Sequence, residues 1–387
     1  MSRHLRLPQA LLIVCALTLA ALVPGHPLAA EPIKIGSFLA VTGGGSFLGD
    51  PEKKTLELYV EKINENGGVL GRPVELILYD SATDAKKALT FATRLIQQDN
   101  VDVIIGGTST GETMAAINEV EKAGVPFISL AGADVIIDPV KKWVFKTPHT
   151  DRLAVDKIFT DMTDQGLSKV GLLSGAGGFD QSCRKNALEL APQHGIDIVA
   201  DEQHGKGDTD MTPQLTKIKN TEGVAAFLYC GFGAPTSIVA KNYKQLGMTI
   251  PHYQTHGSAS SQFIHGAEGA AEGVRLPAAA VLVADQLPAD NPQKQVASDY
   301  KKAYEDKYRE PVSTFGGHAY DGLFLAVEAI ERAGSTDKAA VRDEIEKTQK
   351  FIGADGIFTM SPDDHMGLGP DSFVMVEVKD GDWKLLQ

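Results

Sequence analysis

Short apolar runs alternate with amphipathic stretches along almost the whole chain. The first run, Ile33–Leu39, predicts a strand, and residues 51–66 place apolar side chains at helical spacing before the helix stops at Gly67. Further strands are predicted at residues 74–79, 101–105, 126–129, 170–173, 196–199 and 224–229. Further helices are predicted at residues 84–98, 113–123, 181–194, 211–219, 235–246, 296–308 and 320–333. This alternation indicates βαβ units, and therefore parallel sheets with helices on both faces.

The alternation falls into two successive runs, with the second beginning after Trp143. A chain of 387 residues is long for a single hydrophobic core and suits two domains of ordinary size. No proline-rich or serine-rich tether separates the two runs, so the boundary is not a flexible linker. We therefore expect an α/β protein made of two doubly wound parallel-sheet lobes.

Residues 1–30 have the order of parts found in a secretory signal peptide. Arg3 and Arg6 make a basic start, residues 11–23 form an apolar run, and Ala30 precedes an abrupt polar change. Lipid modification at Cys15 is the alternative, although that cysteine lies inside the apolar run. We expect cleavage near Ala30 and an exported, soluble mature protein.

Charge and cysteine content narrow the class of protein. The formal net charge of −13 argues against nucleic acid as a partner, because binding phosphates requires a basic surface. Beyond the predicted signal peptide only Cys183 and Cys230 remain. They pair as a disulfide in an oxidising compartment or stay as buried, reduced thiols, and the sequence leaves both open.

Three glycine-rich loops follow predicted strands, at residues 42–47, 106–111 and 131–134. In open parallel sheets, ligands bind beyond the carboxyl ends of the strands. Glycine lets the backbone approach a ligand closely, and the N–H groups at a helix start attract a carboxylate. The loops are either ordinary strand-to-helix turns or the wall of a site for a small anion.

Residues 107–111 also match the G-x-S-x-G nucleophile motif, with Ser109 in the place of the nucleophile. His318 could serve as the base of a serine hydrolase, but no histidine–glycine oxyanion motif precedes Ser109 in the mature chain. We therefore expect no catalytic residues and no enzyme, and keep the hydrolase as the alternative from another class.

Three histidines, His252, His256 and His265, lie near Glu268 but do not share one helix face. Ordinary loop histidines are the preferred interpretation. The sequence has no phosphate-binding loop and no dinucleotide fingerprint. We expect neither a metal nor another cofactor.

Several segments carry a specific combination of residues. They are IKIG at residues 33–36, INENGGVLGRPV at residues 63–74, IIG at residues 104–106, AGVPFIS at residues 123–129 and AYDG at residues 319–322. Together they resemble the periplasmic leucine/isoleucine/valine-binding protein family, the type I solute-binding proteins of ABC importers, over essentially the whole mature chain.

The resemblance implies two lobes joined by a three-crossover hinge that close on a ligand. Lobe one would comprise residues 31–148 plus 280–358, and lobe two residues 149–279 plus 359–387. The implied function is the solute-binding component of an ABC importer. It would act as a monomer in the periplasm, and its partners would be a small carboxylate and the membrane permease. A ligand-sensing receptor domain is a further alternative.

The resemblance also assigns ligand contacts. Thr110 and Ala131 would hold the ligand carboxylate, and Tyr320 would face the ligand from lobe one. The remaining candidates are Phe47, Ser109, Ala133, Phe179, Phe232 and His256.

Two of these positions depart from the family pattern. His256 replaces an acid that grips an α-ammonium group, and Ala133 replaces a hydroxyl. Since a buried ammonium needs an acidic partner, we favour an aromatic acid over an amino acid, which stays the alternative. A disulfide of some members is absent, with Thr83 and Ser109 at its positions.

Overall fold

The computed structural model describes residues 31–386 together with Met1. The predicted signal peptide therefore lies outside the described residues. Within the described part of the chain, no helix combines the length and the apolar character needed to cross a bilayer.

The first part of the chain forms a five-stranded parallel sheet with the strand order β2-β1-β3-β4-β5. Its strands are β1 (Ile33–Leu39), β2 (Val74–Asp80), β3 (Val103–Gly106), β4 (Phe127–Ser129) and β5 (Val144–Lys146). The connecting helices are α1 (Ser46–Glu65), α2 (Ala85–Gln97) and α3 (Thr110–Ala123). Strands β1, β3, β4 and β5 are almost entirely buried, as expected of a parallel sheet covered on both faces, while the edge strand β2 is mostly half-buried.

The chain then crosses into a second sheet, which continues the same alternation. Its strands are β6 (Lys169–Ser174), β7 (Asp197–Gln203), β8 (Ala226–Cys230), β9 (His252–Gln254) and β10 (Arg275–Ala279). Its helices are α4 (Asp151–Asp164), α5 (Gly178–Leu190), α6 (Thr212–Asn220), α7 (Ala234–Gln245) and α8 (Ser261–Gly266). These strands run parallel to one another and form the core of lobe two.

After β10 the chain returns to lobe one and then crosses a third time. The returning helices are α9 (Lys294–Tyr308), α10 (Thr314–Ala333) and α11 (Lys338–Glu346), and α10 packs along α1. A small hairpin of β11 (Phe351–Ile352) and β12 (Ile357–Phe358) follows. Finally, β13 (Phe373–Lys379) and β14 (Asp382–Leu385) add antiparallel strands beside β10, giving the order β14-β13-β10-β9-β8-β6-β7. Two doubly wound lobes joined by three crossings are therefore present.

Helices α1 and α10 begin at least five residues earlier than the sequence pattern predicts. Helix α1 starts at Ser46 and continues through Pro51, and a side chain at Gly49 would collide with the carbonyl group of Ala40. Helix α10 starts at Thr314, and a side chain at Gly316 would collide with the hydroxyl group of Tyr300. In both helices glycine is required for close packing, although the sequence pattern predicts a loop where α1 begins.

The disulfide that the sequence left open is formed. Cys183 in α5 and Cys230 at the end of β8 are bonded, with their Cα atoms 5.7 Å apart. Both cysteines are fully buried within the apolar core of lobe two. The bond therefore fixes α5 to β8, an inner strand of its sheet.

Candidate ligand-binding cleft

A cleft lies where the carboxyl ends of the strands of the two lobes face each other, and about 380 Å³ of empty space lies within it. Lobe one lines it with Leu48, Thr108, Ser109, Thr110, Leu130, Gly132, Phe315 and His318. Lobe two lines it with Phe179, Phe232, His256 and Gly257, and Pro148 lies at the first crossing. No acidic side chain and no lysine or arginine is among these described lining residues.

The start of α3 forms the polar wall of the cleft. Ser109 is the N-cap residue of α3, and its backbone N–H and hydroxyl group both donate to Oε2 of Glu112, at 2.9 and 2.6 Å. Thr110 follows as the first helical residue, and its buried Oγ1 finds no hydrogen-bond partner within residues 31–386. A free hydroxyl group at the positive end of a helix is suited to an anionic ligand group.

Aromatic rings form the wall opposite. Phe179 lies edge-to-face with Phe232 at 6.0 Å between ring centroids and with His256 at 5.3 Å. In lobe one, Phe315 makes a similar contact with Phe47 at 5.6 Å. Aromatic pairs in these arrangements give a rigid apolar surface that suits a flat or branched apolar ligand body.

Two histidines face the cleft from opposite lobes. Burial lowers the pKa of His256 well below its usual value, and the charges of His149, His318 and Lys146 lower it further. Burial, with a smaller contribution from Lys146, lowers the pKa of His318 to about 3. Both rings are therefore neutral at neutral pH. Neither ring nitrogen of His256 has a hydrogen-bond partner within the described chain, so both are available to a ligand.

The lobes touch around the cleft. A side chain on Gly132 of lobe one would lie 2.9 Å from Nε2 of His256 and 3.0 Å from Phe179. Beside this loop, Asp134 accepts hydrogen bonds from the hydroxyl group of Ser182 at 2.8 Å and from the amide of Asn186 at 3.2 Å, both in α5. These contacts join lobe one to lobe two, so the structure shows the cleft closed.

Lys146 lies beneath the loop after β4 and holds Gly132 of that loop in place. The ammonium group of Lys146 donates to the carbonyl group of Gly132 at 2.9 Å. Burial lowers the pKa of Lys146 to about 7, although Asp151 and Asp134 act in the opposite direction. The polar layer under the cleft thus positions the loop after β4 without adding a charge to the lining.

Five of the candidate site residues lie together in the cleft. They are Ser109, Thr110, Phe179, Phe232 and His256. Phe47 lies beside the cleft against Phe315, while its neighbour Leu48 lines it. In the loop after β4, Ala131 and Ala133 are buried, and the lining residue is Gly132.

Tyr320 does not line the cleft, so its predicted position requires correction. Its ring packs against Tyr59 at 4.7 Å and Phe324 at 4.6 Å, on the side of α10 that faces α1. His318 lines the cleft instead. Residues two apart in an α-helix point about 200° apart, so only one of the two can face the ligand. The sequence pattern did not show where α10 begins, and it therefore did not show which side of the helix faces the cleft.

Neither catalysis nor metal binding is indicated by the arrangement. The hydroxyl group of Ser109 is hydrogen-bonded to Glu112, which explains the G-x-S-x-G pattern as a helix cap. Within residues 31–386, no three histidine, cysteine or acidic side chains are grouped to hold a metal ion. His252 is buried in β9, where its ring stacks on Tyr243 at 4.6 Å.

Two α/β lobes that close over a cleft from the carboxyl ends of their strands define a two-lobed ligand-binding protein rather than an enzyme. The chain belongs to the periplasmic binding protein family, whose model matches residues 32–382, and within it to the type I leucine/isoleucine/valine-binding class.

The named relatives are similar to this chain over most of its length, although only about a quarter of the aligned residues are identical. A leucine-, isoleucine-, valine-, threonine- and alanine-binding protein of Pseudomonas aeruginosa is 24% identical over 83% of each chain. A Leu/Ile/Val-binding protein homologue of Brucella abortus is 27% identical over 85% of this chain and 84% of its own. An extracellular ligand-binding receptor of Rhodopseudomonas palustris has a TM-score of 0.86 at 28% identity, covering 92% of this chain and 100% of its own.

Proposed function

We propose that the protein is the solute-binding component of an ABC importer. It captures a small carboxylate, in particular an aromatic acid, between its two lobes and delivers it to a membrane permease. It acts as a monomer in the periplasm after removal of a signal peptide near Ala30. The similarity to named binding proteins for branched-chain amino acids supports the transport role.

The observation that carries the ligand class is the absence of an acidic side chain from the described cleft lining. An amino acid brings an ammonium group that is costly to bury without a carboxylate partner. A carboxylate alone needs only hydrogen-bond donors, and the start of α3 with the free hydroxyl group of Thr110 supplies them. The faces and edges of Phe179, Phe232 and Phe315 suit an aromatic body.

Thermal unfolding of the mature protein with a panel of ligands tests the proposal. The panel contains benzoate and 3-phenylpropanoate, with leucine and phenylalanine as the matched amino acids. A ligand at 100 times its Kd stabilises the folded state by about 2.7 kcal/mol, which gives a clear rise in Tm. We expect the rise with the acids and a smaller one, or none, with the amino acids.

Two other outcomes would change the proposal differently. Stabilisation by leucine and not by the aromatic acids would show that the ligand class is wrong while leaving solute binding in place. No stabilisation by either class would contradict capture of a small carboxylate.

A further inference from the structure

A buried acidic pair lies behind the lobe one wall of the cleft. Asp321 in α10 and Asp355 in the β11–β12 turn are both 0% exposed. The carboxylate of Asp321 accepts the backbone N–H groups of Ala354 at 2.6 Å and Asp355 at 2.8 Å. Burial and the charge of Asp355 raise the pKa of Asp321 well above its usual value. Two negative charges side by side at this buried position are therefore disfavoured.

The surrounding backbone is shaped to admit these carboxyl groups. A side chain at Gly353 would collide with the carboxylate of Asp321. A side chain at Gly317 would lie 2.9 Å from Oδ1 of Asp355. Burial raises the pKa of Asp355 as well, but the hydrogen bond with Asp321 lowers it. Burial is the larger of the two causes, so the pKa of Asp355 also stands well above its usual value.

A hydrogen bond with Asp355 orients the ring of His318 in the cleft. Nδ1 of His318 lies 2.5 Å from Oδ2 of Asp355. Oδ2 has no other hydrogen-bond partner within residues 31–386, so a proton on Nδ1 supplies its donor, and with the proton there Nε2 keeps a lone pair. The carbonyl group of His318 also accepts the hydroxyl group of Thr147 at 2.8 Å, which holds this turn of α10 at the first crossing. Nε2 makes no hydrogen bond within residues 31–386, and the ring lines the cleft.

We infer that the ligand carries a hydroxyl group that donates a hydrogen bond to Nε2 of His318, so that the protein selects hydroxylated carboxylates. The inference rests on the proposed function, since it concerns a second group of the same ligand. An ammonium group could also donate to Nε2, but it would be buried in a lining without a carboxylate. A hydroxyl group has no charge to compensate.

The test uses one carbon skeleton and isothermal titration calorimetry on the mature protein. The parent acid is 3-phenylpropanoate. Its hydroxylated forms are 3-phenyllactate, with the hydroxyl group beside the carboxylate, and 3-(4-hydroxyphenyl)propanoate, with the group on the ring. Phenylalanine carries an ammonium group in place of the first hydroxyl. We expect one hydroxylated form to bind about five- to tenfold more tightly than the parent, as one added hydrogen bond allows.

Two variants assign the preference to the histidine and its partner. His318→Phe keeps a ring beside Phe315 but removes the acceptor, so parent and hydroxylated acid should bind equally. In D355N the amide donates to Nδ1, which moves the ring proton to Nε2. The variant should then favour acceptor-only analogues, phenylpyruvate or 3-(4-methoxyphenyl)propanoate, over the matching hydroxylated acid.

A matched control is available in lobe two. Nε2 of His194 lies 2.9 Å from Asp156 at the protein surface, so His194→Gln also breaks a histidine–aspartate pair but leaves the cleft intact. This variant should keep the wild-type preference. If circular dichroism shows that His318→Phe does not fold, the change of ligand preference in D355N tests the inference by itself.

The possible results distinguish an incorrect assignment of the ligand's hydroxyl group from a failure of carboxylate binding itself. Equal binding of the parent and both hydroxylated acids by the wild-type protein would overturn the inference and leave carboxylate capture standing. Tightest binding of phenylalanine, lost in His318→Phe, would overturn it in favour of an ammonium group. Binding of none of the acids would overturn it together with the proposed function.

Discussion

The hydroxyl group of Thr110 is buried at the first residue of α3 and is unpaired within the described chain. Removing a hydrogen bond to a charged partner costs about 1.5–3 kcal/mol, which is roughly ten- to a hundredfold in affinity. Thr110→Ala should therefore raise the Kd by that factor without lowering Tm. Thr90→Ala removes an exposed helical hydroxyl group and is the control for calorimetry. An unchanged Kd for Thr110→Ala would place the carboxylate elsewhere.

His256 occupies a position in the cleft where a carboxylate would favour amino acids. His256→Glu adds an acid beside Phe179, and it should weaken the binding of aromatic acids because like charges repel. It should improve the binding of leucine or phenylalanine, since the ammonium group gains a partner. Titration of aromatic acids and of amino acids into the wild-type protein and into His256→Glu measures both changes in affinity. Equal effects on the two classes would show that His256 does not sense the ammonium group.

Asp180 gives a pH dependence whose sign can be stated. Burial raises its pKa to about 6, partly offset by the N–H group of Gly177. Between pH 4 and 6 the folded state holds a proton that the unfolded state has lost, so the free energy of unfolding falls as the pH rises. The loss reaches about 3 kcal/mol for a shift from the unfolded value of about 3.9.

Asp180→Asn should remove that part of the pH dependence, because an amide does not titrate. Urea unfolding at pH 4 and pH 7 measures it. The stability of the variant relative to wild type should rise by about 2–3 kcal/mol between these pH values. A constant difference would show that Asp180 has the same pKa in the folded and unfolded states.

At the residue scale the resemblance to the family suggested Thr110 and His256 as ligand contacts, and both side chains line the cleft. The sequence missed His318, although that histidine was considered as a catalytic base. The facing side of a helix depends on where the helix starts and what it packs against. The contact between Tyr320 and Tyr59 of α1 sets the rotation of α10, and no local pattern encodes it.

The disulfide is a contact between elements, since it joins α5 to β8 over a sequence separation of 47. Closing a loop of that length stabilises the folded state by about 2–4 kcal/mol through the unfolded chain. Replacing both Cys183 and Cys230 by serine should lower the free energy of unfolding by that amount. In denaturant without reductant the wild-type protein should show no free thiol. Two free thiols would mean that the bond does not form.

At the element scale the alternation of strands and helices predicted most of the parallel strands of the two sheets, β1 to β4 and β6 to β8, but not β5, β9 and β10. It did not predict β13 and β14, because antiparallel edge strands have weak patterns and their partner is distant in sequence. Val376 of β13 pairs with Leu276 of β10, about a hundred positions earlier. Such pairing is decided by which edge stays uncovered after the parallel strands are in place.

Closure is a property of the whole molecule. In this structure Asp134 of lobe one is hydrogen-bonded to Ser182 of lobe two, and the hydroxyl group of Thr314 donates to the carbonyl group of Ala259 at 3.2 Å. We expect these contacts to open when the cleft is empty and to form when ligand binds, because a hinge of three crossings permits rotation of the lobes. Small-angle scattering should show a smaller radius of gyration with saturating ligand. The same radius in both states would contradict the hinge.

The interleaved order of the lobes also governs when the protein can fold during its synthesis. The sheet of lobe two begins at Lys169 but is completed only by β13 and β14, which end at Leu385. Lobe one needs α9 to α11 from the middle of that interval. A nascent chain that stops short of these segments exposes the edge of β10 and the apolar face of α1. Neither lobe can therefore reach its native state before most of the polypeptide has left the ribosome.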